Sequence, residues 1–159
     1  MVDRLLPITN KPQLEDHSRL VVTVVVKSDG NIRLVYRDWP ILSDASIVGA
    51  RLALAATYQG KYLNVHRALM DIPGYGVTQE RMIEAVRKAG IDLPRLNTDL
   101  DTHADDIASL IKRSLDFAQA VGLRGTPGFL IGPFAVNEAL NEAGFVRVVA
   151  DARARQKIK

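Results

Sequence analysis

The sequence predicts an α/β protein in which a large helical block separates two groups of short strands. Three observations support this class. Residues 20–26 are almost wholly β-branched, which favours a buried strand. Between 46 and 121, apolar side chains recur at helical spacing. Two short apolar runs then follow at 129–131 and 134–136, as expected for a pair of strands.

Composition bounds the size and the partners of the protein. The chain has 159 residues, of which 47% are hydrophobic and 25% charged, so it can bury a core and is not compositionally disordered. We expect a single domain over residues 1–159, because no repeat, low-complexity tract or linker divides it. The net charge of +3 is too small to indicate a nucleic-acid partner. The longest apolar run is too short to span a membrane, and no signal peptide is visible.

The absence of cysteine excludes several kinds of chemistry. With no cysteine, the chain can form no structural disulfide, thiolate metal site, nucleophilic thiol or dithiol redox cycle of its own. His17, His66 and His103 lie too far apart in sequence for metal-ligand spacing, and His66 is read as a packed histidine in a helical stripe. The acidic residues between 99 and 106 flank a helix start, where carboxylates are favoured, and lack the pattern of a calcium loop. We therefore predict no metal site and no cofactor.

The N-terminal third reads locally as an arm followed by two strands. Residues 1–19 are polar and predict an irregular arm or a short helix. Residues 20–26 form the first strand, and the turn signal at 28–31 separates it from an alternating strand at 32–37. The second strand should end before Trp39-Pro40, because proline has no amide hydrogen for a ladder.

The middle of the chain predicts a series of helices. Their apolar positions follow helical spacing, three of them are followed by a glycine, and Thr78 is placed to cap the free amides of one. The predicted helical segments are 46–58, 62–69, 78–89, 91–100 and 107–121.

The C-terminal part predicts a strand pair and a closing helix. A Gly132-Pro133 turn joins the runs 129–131 and 134–136. A helix from Asn137 to about Arg155 follows, with a basic end that suits the helix dipole.

This order of elements resembles a thioredoxin fold with a helical insertion, and specifically the DsbA family of thiol–disulfide oxidoreductases. Residues 31–42 resemble the family's second strand and the turn after it. Residues 59–62 and 66–70 resemble the start of its helical insertion. Residues 118–132, which include Val121-Gly-Leu-Arg-Gly-Thr-Pro-Gly-Phe-Leu-Ile131, resemble its long helix, cis-proline loop and third strand. The likeness covers about residues 28–155.

The resemblance implies a thioredoxin-like domain whose helical insertion spans about residues 43–120. Relatives usually work in oxidising, extracytoplasmic compartments such as the periplasm, although no signal in this sequence indicates one. The resemblance also implies a cis peptide bond at Thr126-Pro127, beside which an extended peptide or protein substrate would dock. The candidate peptide-binding residues are Arg124, Gly125, Thr126 and Pro127, with no catalytic residue. An ordinary turn, or a cis proline kept only for the geometry of the fold, is the simpler alternative.

The departure from the family lies in the first strand–helix unit. The family's chemistry needs a Cys-x-x-Cys pair at the start of the first helix, which lowers the pKa of the leading thiol. In one alignment, residues 20–26 are the first strand, and the active-site turn and first helix are missing before Ser28. In the other, residues 12–29 are the remains of the first helix, and Pro12-Gln-Leu-Glu15 lies near the position of the cysteine pair. The β-branched run favours the first alignment, which implies antiparallel strands and a sheet that is rearranged or completed by another chain.

Three functions follow as hypotheses. The first is a DsbA-like protein that is redox-inactive and retains at most peptide or protein binding at the cis-proline loop. The second is a non-catalytic dimerisation or partner-binding module, a homodimer in one form, that is completed by strand exchange. The third is a glutathione-dependent transferase or isomerase that uses Ser18 in place of a cysteine. No glutathione-binding pattern surrounds Ser18, and a helix cap is its simpler role.

Overall fold

The computed structural model describes residues 21–73 and 77–156. They confirm the α/β class, since helices predominate and one small two-stranded sheet is present. In chain order the elements are α1 (helical over 21–29), α2 (Asp44–Ala55), a 3-10 turn (Ala56–Gln59), α3 (Tyr62–Met70), α4 (Gln79–Lys88), α5 (Leu93–Thr102), α6 (Ala104–Ala120), β1 (Phe129–Ile131), β2 (Phe134–Val136) and α7 (Glu142–Gln156).

The expected strand at 20–26 is wrong, because residues 21–29 are helical. Val22 and Val25 lie three residues apart, share one face of α1 and are buried, while Val24 between them is 49% exposed. Burial of this helical face outweighs the low helix propensity of valine, which amounts to only a few tenths of a kcal/mol per residue. The turn signal that we read as a hairpin instead ends α1: Gly30 has φ +68°, and its N–H donates to the carbonyl of Val26 at 3.2 Å. The described residues therefore match the alignment that treats residues 12–29 as the first helix.

The expected hairpin between residues 20–26 and 32–37 is also wrong, and residues 32–37 form no ladder with the described part of the chain. Residues 31–43 contain no strand, and the predicted hairpin with residues 20–26 does not form, since that partner is helical. A β-strand requires hydrogen bonds to a neighbouring strand. The alternating pattern of residues 32–37 favours an extended backbone but does not determine which segment it pairs with. Side chains at both ends hold this segment. Arg153 donates to the carbonyl of Asn31 at 2.9 Å, and Tyr62 donates to Asp38 at 3.0 Å.

The helices predicted between 46 and 121 are confirmed, with small shifts at their ends. Thr78 caps α4 as expected, because its hydroxyl accepts from the N–H of Arg81 at 3.3 Å. Asp92 caps α5 in the same way by accepting from the N–H of Arg95 at 3.0 Å. Within the residues described, no helix is both long and apolar enough to cross a membrane.

The described residues form two separate apolar clusters. The helical cluster, formed by α2 to α6 and the turns between them, has its largest fully buried side chains at Val65, Val86, Leu96 and Ile107. The sheet-side cluster is smaller. Its buried members are Val22, Val25 and Phe145, with partly buried side chains of β1 packed against them.

The strand pair is confirmed, whereas the closing helix begins later than predicted. β1 and β2 pair antiparallel with Ile131 opposite Phe134, and Gly132 in the turn has φ +57°. Helix α7 starts at Glu142 because Asn141 acts as its cap, with its side chain accepting from the N–H of Gly144 at 2.9 Å. Asn137, which we placed at the helix start, therefore lies outside the helix and is available to contact another segment.

Candidate functional site

The candidate site is the loop that joins the end of α6 to the start of β1. The peptide bond between Thr126 and Pro127 in this loop is cis. Gly125, Thr126 and Pro127 are partly exposed, and Arg124 is exposed. The structure thus brings all four candidate peptide-binding residues into one surface loop, where a second chain could reach them.

Asn137 holds this loop against the end of β2. Its side-chain oxygen accepts from the N–H of Arg124 at 2.8 Å, and its side-chain nitrogen donates to the carbonyl of Gly122 at 3.3 Å. One amide side chain therefore satisfies two backbone groups on either side of Leu123. We missed this role in the sequence because we assigned Asn137 to the closing helix. Its place directly after a predicted strand, where asparagine favours irregular backbone, was the available signal.

The loop is closed on its inner side and open above Gly125. A Cβ added at Gly128 would come within 3.1 Å of the Leu123 side chain and 3.2 Å of the carbonyl oxygen of Gly125, so the backbone is tightly folded there. A Cβ added at Gly125 would meet nothing within 4 Å, and the φ of Gly125 is not positive. The loop therefore presents a small, supported surface over which a peptide could lie.

The loop carries few side chains that could take part in covalent chemistry. Its only charged residue from 122 to 128 is Arg124, and the sequence contains no cysteine to act as a nucleophile. Pro12 to Glu15, which one alignment places near the usual cysteine pair, lie outside the described residues, as do His17 and Ser18. No group of three or more potential ligands able to hold a metal ion occurs among residues 21–73 and 77–156.

A cluster of polar side chains, formed by Asp38, Tyr62 and His66, lies between α3 and the segment that precedes α2. Tyr62 donates to Asp38 at 3.0 Å, and Nδ1 of His66 lies 3.6 Å from the other oxygen of Asp38. The ring of His66 also packs against the rings of Tyr36 and Tyr62, at centroid distances of 5.0 and 5.6 Å. Burial raises the pKa of the Tyr62 hydroxyl, and the Asp38 carboxylate raises it further, so Tyr62 stays protonated and donates.

This polar cluster has a structural role that agrees with our reading of His66 as a packed residue. The Asp38 side chain is only 10% exposed and that of His66 only 15%, so their contacts fix the end of the 31–42 segment on α3. His103 is likewise packed, since its ring stacks on that of Tyr58 with the centroids 3.6 Å apart. The two described histidines are therefore used for packing.

Comparison with known proteins finds a family and solved structures that match most of this chain. The sequence profile of the DSBA-like thioredoxin domain matches residues 19–149. A thioredoxin-like oxidoreductase from Silicibacter pomeroyi DSS-3 is 34% identical, with a TM-score of 0.82 over 91% of this chain and 82% of that one. The thiol-disulfide exchange protein alpha-DsbA2 from Wolbachia pipientis is 27% identical, with a TM-score of 0.76 over 88% of this chain and 73% of that one.

More distant structures share the fold alone. ScsC from Proteus mirabilis in a compact conformation is 15% identical, with a TM-score of 0.74 over 89% of this chain and 76% of that one. No curated protein matches the chain. The residues matched by the family, 19–149, include both apolar clusters and the loop with Thr126 and Pro127.

Proposed function

The chain belongs to the family of DSBA-like thioredoxin domains, related to thiol–disulfide oxidoreductases, and we propose that it is a redox-inactive member that binds an extended peptide at the Thr126-Pro127 loop. The observation that carries the proposal is the loop itself. Asn137 holds it in place, and it is open above Gly125, in a chain that has no cysteine. Family membership supports peptide docking as the function that outlasts the loss of the thiol.

Redox inactivity follows from the chemistry of exchange. Disulfide exchange requires a thiolate that attacks a disulfide sulfur and forms a mixed disulfide. This chain contains no sulfur that can do so, since methionine carries a thioether and no thiol. We expect insulin reduction in the presence of dithiothreitol to proceed at the rate of dithiothreitol alone. A reproducible acceleration that scales with protein concentration would contradict this part of the proposal.

The binding part is tested with a reduced, carboxamidomethylated and therefore unfolded protein as the probe. We expect saturable binding by the native chain and a loss of about tenfold or more in Gly125→Val, because the new side chain occupies the open space above the loop. The position has no positive φ and no near neighbour, so this variant should keep its fold.

The matched control is Ala135→Val, which places the same side chain at an exposed position of β2 outside the loop. We expect its affinity for the unfolded probe to equal that of the native chain. Equal affinities of the native chain and Gly125→Val would show that the loop does not bind peptide, as would the absence of saturable binding by the native chain.

A second candidate function, a partner-binding module completed by strand exchange, has one observation in its favour. In the described residues the sheet has only two strands, so β1 and β2 each have one edge without a ladder partner. Unpaired edges recruit strands from other chains. Sedimentation velocity over a wide concentration range tests this candidate, since a strictly monomeric protein at high concentration would exclude a homodimer.

We also propose that the protein works outside the cytoplasm, as thiol–disulfide exchange proteins act in oxidising compartments. One solved structure with the same fold, 21% identical, is described as a periplasmic thioredoxin-like protein from Salmonella enterica serovar Typhimurium. Fractionation of cells that express the tagged gene from its own start would test the location. Recovery only with the cytoplasmic fraction would contradict it.

A further inference from the structure

The first two turns of α2 expose two aliphatic side chains together with one charge of each sign. Ile47 is 43% exposed and Val48 36%. Asp44 lies one turn before them and Arg51 one turn after them, and both are exposed, whereas every other residue of α2 is buried or half-buried. Because residues three or four apart share a face of a helix, these four residues form one surface, the α2 patch.

A groove of about 260 Å³ adjoins the α2 patch on the side of α6. Apart from two cations, its lining side chains are aliphatic; the lining residues are Ile47, Arg51, Ala108, Ile111, Lys112 and Leu115. Ala108 is exposed, and Ile111 and Leu115 are only half-buried. The groove therefore provides an apolar recess, next to the patch, that can take an aliphatic side chain from a second molecule.

Neither charge of the α2 patch is matched within the described part of the chain. Asp44 and Arg51 form no ion pair and no side-chain hydrogen bond with residues 21–73 and 77–156. Lys112, the other cation of the groove, is by contrast held by Asp116 at 2.6 Å. Asp44 and Arg51 are too far apart to pair with each other, because seven residues of helix separate them by about 10 Å.

The order of these residues makes the α2 patch complementary to itself. Asp44 and Arg51 lie at equal distances along the helix from the midpoint between Ile47 and Val48. When two copies of α2 pack antiparallel about a twofold axis through that midpoint, Asp44 of each copy lies opposite Arg51 of the other. Both charges then gain a partner of opposite sign, and the aliphatic side chains meet at the axis. A partner whose charges all had one sign would match only one of the two.

We propose that the α2 patch is a twofold interface between two copies of this chain. Asp44 of each copy pairs with Arg51 of the other, and Val48 of each copy enters the groove beside Ile47 of the other. This interface is made by the helical block, whereas strand exchange, the second candidate function above, would use the edges of β1 and β2. The proposal therefore goes beyond both functions proposed above and does not depend on the Thr126-Pro127 loop.

The first experiment measures sedimentation velocity over a range of protein concentrations. Asp44→Arg and Arg51→Asp each place like charges opposite one another at both contacts, so we expect each variant alone to dimerise at least about tenfold more weakly than the native chain. An equimolar mixture of the two variants has opposite charges at both contacts and should form a heterodimer with nearly the native affinity. A native chain that stays monomeric at about millimolar concentration, or a mixture that associates no better than its components, would overturn the proposal.

Matched controls separate this interface from general effects of charge. Glu142→Arg reverses an acidic charge in the first turn of α7, and Arg147→Asp reverses a basic charge further along the same helix. Both positions are exposed and lie outside the α2 patch, so we expect both variants to dimerise like the native chain. Circular dichroism verifies that all four variants keep their helices. A loss of the dimer in these controls equal to that in the patch variants would overturn the proposal.

The second experiment locates the twofold axis by cross-linking. Since the chain contains no cysteine, one introduced cysteine gives a single thiol per chain. We expect a bismaleimide that spans about 8 Å, the separation of closely packed helices, to join Val48→Cys into a covalent dimer. Val146→Cys, at a position of α7 that is 52% exposed, should stay monomeric under the same conditions. Equal yields of covalent dimer from the two variants, or none from Val48→Cys, would overturn the assignment.

Further arms distinguish this interface from the surfaces proposed above. A dimer that survives both Asp44→Arg and Arg51→Asp would belong to another surface, such as the edges of β1 and β2, and would overturn this proposal. Gly125→Val should dimerise like the native chain, because Gly125 lies outside the α2 patch and its groove. Failure of the loop proposal and failure of this one can therefore be told apart, since peptide binding measures the first and sedimentation the second.

Discussion

The helical cluster and the sheet-side cluster differ in how many buried side chains hold them together. The helical cluster buries eleven of the described residues, among which Leu96, Val65 and Val86 are wholly inaccessible. The sheet-side cluster buries three, Val22, Val25 and Phe145. The helical block therefore has a hydrophobic core of its own. The described parts of α1, the β1–β2 hairpin and α7 share a smaller hydrophobic core.

Polar contacts between distant segments supplement the thin cluster. Arg153 on α7 donates to both carboxylate oxygens of Asp29 at the end of α1, at 2.6 and 2.7 Å, across 124 residues of sequence. Asn137 joins the end of β2 to the loop that follows α6. Contacts of such long sequence separation form only after the chain between them has been closed, which costs entropy. The loop with Thr126 and Pro127 leads into Phe129, which packs against this thinner cluster.

The largest expected effect is that of Leu96→Ala in the helical cluster. Leu96 is 0% exposed, so its truncation leaves an enclosed cavity, and we expect a loss of about 4 kcal/mol in the free energy of unfolding. Urea denaturation followed by circular dichroism measures it. A loss below about 1 kcal/mol would show that the helical cluster is not tightly packed.

Phe145→Ala should cost less, about 2–3 kcal/mol, although phenylalanine is larger than leucine. The ring of Phe145 packs edge-on against Phe129 at 4.8 Å, but Phe129 is itself partly exposed, so the surroundings can relax and admit water. We expect hydrogen exchange to accelerate in α7 and the hairpin while α2 to α6 keep their protection. A loss equal to that of Leu96→Ala, spread over the whole chain, would remove the distinction between the clusters.

A pair of glycine variants measures the contact between the hairpin and α7. Gly122 and Gly132 both have positive φ, so alanine costs about 1–2 kcal/mol at either position. Only at Gly132 would the new Cβ also come within 2.9 Å of the Cβ of Ala152 on α7, whereas nothing lies within 4 Å at Gly122. We expect Gly132→Ala to be the more destabilising by about 1 kcal/mol in urea denaturation. Equal losses of unfolding free energy in the two variants would show that the β1–β2 turn makes no close steric contact with α7.

The smallest effect is expected for Asp29→Asn. The hydrogen bonds from Arg153 hold the pKa of Asp29 below its ordinary value of about 3.9. The pair therefore contributes stability at neutral pH, and this contribution is lost as pH falls through the lowered pKa in the folded state. We expect the variant to melt about 1–3 °C below the native chain at pH 7, and this difference to shrink as the pH is lowered through the folded-state pKa of Asp29.

An ion pair within one helix of the helical block serves as the control for the Asp29 variant. Glu84 also has a lowered pKa because Arg87 donates to it, but both residues lie in the same helix. Glu84→Gln should shift the melting temperature without changing hydrogen exchange in α7, whereas Asp29→Asn should accelerate exchange at the end of α7. The same exchange pattern in both variants would contradict a role for Asp29 in joining α1 to α7.

The helices between 46 and 121 could be predicted because their signals are local. The spacing of Ile47, Ala50 and Leu54, or the cap at Thr78, depends on residues within one or two turns. The four loop residues of the candidate site could be located through the family resemblance. For Asn137, the sequence could indicate irregular backbone after β2 but not its two partners, which lie 13 and 15 residues away in the chain.

By itself the sequence determined the absence of thiol chemistry, the helical block and the turn between β1 and β2, because each depends on residue type or on neighbours along the chain. Only the tertiary structure decided that residues 21–29 are helical and therefore form no hairpin with residues 32–37. Valine accepts either conformation at a cost of tenths of a kcal/mol, whereas burial of Val22 and Val25 beside Phe145 is worth about 1 kcal/mol or more for each side chain. A weak local preference therefore gave way to a distant packing partner.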